Sequence, residues 1–176
     1  MAQPILIHED GRKASWFELF FDLVFVVAVA SLAGRLSHHY DWHGAMQFGF
    51  LFLVLWWLWL RHSFQSSRFD RDHPDQWALG FVQMLAVVFI GYAAGDGFGD
   101  RAWAFAGGVA VFKLVLMLGY LRESARPGLA RLCTIYGAIH GFQALLWAAS
   151  VWAEGPLRSG LWALALGLDI VSPFLV

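Results

Sequence analysis

Five ionisable side chains, Glu18, Asp22, Lys113, His140 and Asp169, interrupt long apolar runs that offer them no water. Carboxylates, an amine and an imidazole in such surroundings can do two kinds of chemistry. They can pair, since an amine set between two carboxylates offsets the desolvation that each group would suffer alone. They can also hand on a proton or an ion, the usual business of ionisable groups inside membrane helices. Glu18 and Asp22 are four residues apart, so a helix places them on one face, and Val29 continues that stripe. Glu18 falls in the first turn, where a carboxylate opposes the helix dipole. At 1.5 Å per residue, Asp22 lies ~9 Å, Lys113 ~12 Å and His140 ~13 Å from the expected cytoplasmic ends of their helices, with Asp169 at a comparable level. The expectation is an Asp22–Lys113–Asp169 network with His140 beside it. Two readings of it stand: a satisfied ion pair that sets helix register, or a proton or ion relay.

Other chemistries find less support. His38, His39 and His43 cluster around one loop, and His39 and His43 are four apart, but no third ligand completes a metal site. The Asp96-Gly-Phe-Gly-Asp100 segment is too short for a calcium loop and reads as a tight turn. Ser15, Ser31, Ser63 and Ser66 stand in no nucleophile motif, and no helix has the His-Glu-x-x-His spacing of a zinc protease. A single cysteine, Cys133, can form no internal disulfide. The reading is therefore of a non-enzyme with no cofactor and no metal. Gln47, Gln83 and Gln143 also fall within apolar runs, where amides tie helices together. Gly91-x-x-x-Gly95 and Gly137-x-x-x-Gly141 permit close helix crossing.

The elements that must position these groups follow from composition. Of the 176 residues, 59% are hydrophobic and 14% charged, with ten Trp and sixteen Phe. A water-soluble domain is about 45–50% apolar and about 25% charged, so the solvent is lipid. A net charge of −1 offers no basic face to nucleic acid. A helix needs about 20 mostly apolar residues to cross the hydrocarbon core. Six stretches qualify: 16–38, 42–61, 77–95, 102–121, 132–153 and 159–176. They lack the alternation of barrel strands. The expected fold is all-α, a single polytopic transmembrane helical bundle over residues 1–176. A cleaved signal sequence at the start is disfavoured, because Glu18 and Asp22 fall inside its apolar region. Arg12, Lys13, Arg61, Arg68, Arg71, Arg122, Arg126 and Arg131 flank one side, against Arg35, Arg101 and Arg158 on the other. That bias predicts a cytoplasmic N-terminus. The run ends at Phe174-Leu175-Val176 with no polar tail, which suggests a missing C-terminal part.

Four strings stand out: Trp16-Phe-Glu-Leu-Phe-Phe-Asp-Leu-Val-Phe-Val, Trp56-Trp57 with Ser67-Arg68-Phe69-Asp70, Gln83-Met84-Leu85-Ala86, and Leu168-Asp169-x-x-x-Pro173. Together they resemble the bacterial low temperature requirement protein A family. The resemblance implies a multi-pass bacterial inner-membrane protein about twice this long, and gives motif membership to Glu18, Asp22, Arg68, Asp70 and Asp169. It supplies no reaction and no transported species. Two functions are carried forward. One is a proton- or ion-coupled transporter or stress-adaptation protein. The other is a non-catalytic structural or interaction protein whose buried charges fix helix packing. The partners expected are membrane lipids, together with the missing half or an oligomeric partner, and no nucleic acid.

Overall fold

The computed structural model describes residues 16–38, 41–68, 74–125 and 128–174. Among these, six α-helices form an all-α bundle: α1 Trp16–His38, α2 Trp42–Arg68, α3 Pro74–Ala94, α4 Ala102–Glu123, α5 Ala130–Ser150 and α6 Gly155–Val171. A short 3-10 turn, Ser172–Phe174, follows α6. Five helices, α1 to α5, are long and apolar enough to cross a membrane. The sixth has 17 residues, or about 25 Å of helix.

Local sequence accounts for the boundaries. Helix α3 starts at Pro74, where the missing N–H would have had no intrahelical partner anyway. Helix α6 is entered through Gly155 at φ +54° with Pro156 behind it; the left-handed backbone favours glycine and the proline fixes the first turn. It ends at Val171, and the backbone continues through Ser172 into a 3-10 turn, in which Pro173 has no N–H to return to the helix. Helix α2 runs on to Arg68, past position 61, where the apolar run ends. The polar stretch from Ser63 is therefore a continuation of the helix and not the start of a loop. This extra length carries Arg61, His62 and Gln65 inside the bundle instead of leaving them at its edge.

Helix α4 is the hub, packed on α2, α3 and α5, while α1 packs on α2 and α3, and α6 on α5. The inward stripe of α1 is Phe21, Phe25, Ala28 and Leu32, a helical i, i+4, i+7, i+11 series. Away from the polar layer, Phe105, Trp147 and Trp162 pack ring to ring at 5.2–6.0 Å between centroids. Trp162 Nε1 donates to Ser150 Oγ at 2.8 Å, which pins α6 to α5, while the buried Trp147 Nε1 has no hydrogen-bond partner among the described residues. Many large apolar side chains face outward, among them Leu23, Val27, Phe81, Leu85, Leu145 and Leu157. Such a surface is at rest in hydrocarbon, not in water.

Two contacts make predictions. Helices α1 and α3 meet at Ala28 and Gly91, where a Cβ on Gly91 would sit 2.9 Å from the Ala28 Cα. Gly91→Val therefore pushes the helices apart and should cost about 1–3 kcal/mol, read as a lower thermal midpoint in detergent. At one end of the bundle Arg35 clasps the α3–α4 turn, donating to the Gly95 carbonyl and to Asp96 Oδ1. Asp96 also accepts from the Asp100 amide at 2.8 Å. Partial burial works to raise the Asp96 carboxyl, but Arg35 and the turn amides outweigh it and hold the group below its ordinary 3.8. The clasp therefore stabilises fully above that ordinary value, and its contribution is lost as pH falls through the depressed folded value. Asp96→Asn should flatten this acid limb of the melting-temperature profile; an unchanged limb would mean the clasp contributes nothing.

Candidate functional site: a buried Arg–Asp–Lys cluster

Lys113 lies near the middle of α4, about 15 Å from either end of the helix. It is 0% exposed. Its ammonium reaches across to α6 and grips both oxygens of Asp169, Nζ to Oδ1 at 2.6 Å and to Oδ2 at 2.7 Å. Charge-assisted bonds of this length are the strong class. Arg61 of α2 completes the cluster. Its Nη2 donates to the Asp169 carbonyl at 2.6 Å and to Ser172 Oγ, and its Nε stands 3.6 Å from Asp169 Oδ1. Ser172 Oγ donates in turn to that same carbonyl at 3.0 Å. The carbonyl belongs to the last turn of α6, where no intrahelical donor remains, so a cation there also meets the negative end of the helix. The Arg61 guanidinium carbon is 5.8 Å from the centre of the Tyr136 ring of α5, within cation–π range.

Two polar extensions flank this centre. On α5, His140 is fully buried beside the Tyr120 and Tyr136 rings, with its Nδ1 2.9 Å from Gln143 Oε1. The Gln143 amide donates to the Ala165 carbonyl of α6 at 3.4 Å. On the other side, His62 lies flat on Phe21 at 3.5 Å and its Nδ1 meets Gln83 Oε1 at 2.7 Å. Gln65 bonds the Leu116 carbonyl of α4 at 3.0 Å. Gln83 and Gln143 thus join different helices, whereas Gln47 pairs locally with His43.

The sequence-derived candidates divide. Lys113 and Asp169 are brought together, and His140 lies across the α4–α5 interface from them. Asp22 is elsewhere: it is exposed and accepts from Trp59 Nε1 at 2.8 Å. The reason is angular. The inward stripe of α1 runs through Phe21 and Phe25, and one residue further is about 100° around the helix. Glu18 sits half-buried in the first turn of α1. Arg68 closes α2, and Asp70 lies outside the described residues. The residue missed was Arg61, assigned to a loop from its charge. A signal for it existed, because Leu51, Val54, Leu55 and Leu58 form a buried stripe that reaches Arg61 and His62 at the next turn. Among the described residues no group of three His, Cys, Asp or Glu could hold a metal.

This arrangement of membrane helices can be set beside known proteins. Residues 13–176 match the family described as Bacterial low temperature requirement A protein (LtrA). The chain belongs to the LtrA family. It is also similar to an uncharacterized protein of Rhizobium meliloti (strain 1021), 27% identical over 166 residues, covering 93% of this chain and 41% of that protein. The chain thus spans well under half the length of this relative. No solved structure matches it. Family membership and five membrane-length apolar helices make it a multi-pass integral membrane protein in contact with lipid.

The cluster predicts an order of sensitivities. Asp169→Asn leaves two buried cations with no carboxylate and should cost about 3–5 kcal/mol. Lys113→Met should cost less, since Arg61 still faces Asp169. Thermal unfolding in detergent ranks the two; the reverse order would place the stabilising charge elsewhere.

Proposed function

We propose that this protein is a proton- or ion-coupled membrane transporter, acting in the bacterial inner membrane with its N-terminus in the cytoplasm, and that the Arg61–Asp169–Lys113 cluster is its coupling site. The observation that carries the reading is the Lys113–Asp169 pair, at 0% and 3% exposure, in the middle of a membrane bundle. Burying ions costs several kcal/mol each even after relaxation. Ionisable groups at such depth in membrane proteins mark ion paths and proton relays. The pair also joins two different helices, so a change in its charge state alters how α4 and α6 hold together. That is the requirement for coupling an ion to a movement. The excess of Lys and Arg on one side of the helices supports the orientation.

A second reading has its own observation. Both oxygens of Asp169 are already bonded, as a pair that only fixes helix register would require. On this reading the protein is a non-catalytic structural component of its membrane.

Flux decides between them. Reconstituted in liposomes under an imposed pH or ion gradient, the protein should move protons or ions. Asp169→Asn, isolated as folded protein, should reduce that flux at least tenfold, while Asp22→Asn, altering a group outside the cluster, should leave it within about twofold. A folded wild type that moves nothing favours the structural reading.

A further inference from the structure

Resting on the transport reading above, we infer that the species handled at this site is the proton, that Lys113 carries it, and that Arg61 is the standing counter-ion of Asp169. The argument begins with charge. The cluster holds two cations, Arg61 and Lys113, and one carboxylate, Asp169, all buried. Helix α3 adds no charged side chain between Trp77 and Ala94, and α1 meets α4 through the rings of Phe25 and Phe112. The groups bearing on Lys113 from its neighbours are therefore Arg61 of α2, Asp169 of α6 and His140 of α5. One positive charge is in excess where solvent cannot offset it.

A metal cation fits such a site poorly. Sodium or potassium needs several oxygen ligands, and both oxygens of the one carboxylate are taken by the ammonium, with a guanidinium alongside. The excess charge can instead leave the cluster as a proton. A guanidinium does not deprotonate in proteins, whereas an ammonium does. Loss of one Nζ proton leaves a neutral amine and a balanced Arg61–Asp169 pair. Arg61 is already held for that role through the Asp169 carbonyl and Ser172, independently of Lys113.

The adjacent helix supplies an acceptor. Because the Gln143 amide nitrogen donates to the Ala165 carbonyl, its oxygen faces His140 Nδ1. Nδ1 must then carry the ring hydrogen, which leaves Nε2 as a bare lone pair. That nitrogen is buried and has no hydrogen-bond donor, a condition that native interiors seldom leave without cause. Nε2 has no hydrogen-bond partner at rest among the described residues, so the transfer requires Lys113 to turn from Asp169 towards α5; an Nζ–H bond then breaks and an Nε2–H bond forms. The electron pair stays on Nζ, and one positive charge passes from α4 to α5. No oxidant or co-reactant is needed.

Conservative replacement separates carrying a proton from merely being positive. Lys113→Arg keeps a cation beside Asp169 but cannot release its proton, and Lys113→Gln keeps neither the charge nor the proton. Both are compared with wild type in liposomes under a pH gradient, with sodium exchanged for choline and chloride for gluconate. The expected result is a wild-type proton flux indifferent to both exchanges, lowered at least tenfold in each variant. A Lys113→Arg flux within twofold of wild type overturns the inference, because a purely structural cation is rescued by arginine. So does a flux that requires sodium or chloride. Should the arginine variant fail to fold, retained flux in Lys113→Gln overturns it equally. A wild type that moves no ion at all strikes the transport reading itself, whereas wild-type flux with an insensitive Lys113 strikes only the present inference.

Discussion

The buried cations Arg61 and Lys113 are organised around one carboxylate. Asp169 binds Lys113 through both oxygens and Arg61 through its own backbone carbonyl, so helices α2, α4 and α6 converge on a single residue. In water such an interaction would be worth little. In hydrocarbon the alternative to pairing is an isolated buried ion, so the three groups stay together once the helices have inserted. The rest of the bundle can be read as what allows this meeting. The aromatic cluster of Phe105, Trp147 and Trp162 sets the position of α6 against α4 and α5. The small contact of Ala28 and Gly91 brings α1 onto α3.

The polar layer reaches beyond the ions. His62, Gln65 and Gln83 link α2, α3 and α4 on one side, and His140 and Gln143 link α5 and α6 on the other. Interhelical hydrogen bonds of this kind are individually modest in membranes, about 0.6 kcal/mol on average. Their use here is directional. They orient rings and amides around the cluster, and Gln143 holds the His140 ring at its Nδ1.

Much of this was legible beforehand. The apolar runs announced helices, because a segment in lipid must satisfy its backbone internally. Lys113 and Asp169 stood out for the same reason, as charges with no other place to go. Asp22 looked equivalent and is not, since depth along a helix says nothing about rotation around it. Arg61 was hidden by its position at the end of an apolar run, where a basic residue ordinarily marks the membrane edge. The continuation of α2 to Arg68, along the stripe of Leu51, Leu55 and Leu58, shows that it lies inside.

The sequence by itself determined the solvent, the helices and the family, because these depend on composition, on hydrophobic length and on strings of neighbouring residues. The tertiary structure alone decided which charges meet. Arg61 and Asp169 are 108 positions apart, and Lys113 and Asp169 are 56 apart. Whether such residues touch depends on the rotation and crossing of whole helices, and packing settles those, not local pattern. Two cations and one carboxylate therefore share a site that the sequence had expected to hold one cation and two.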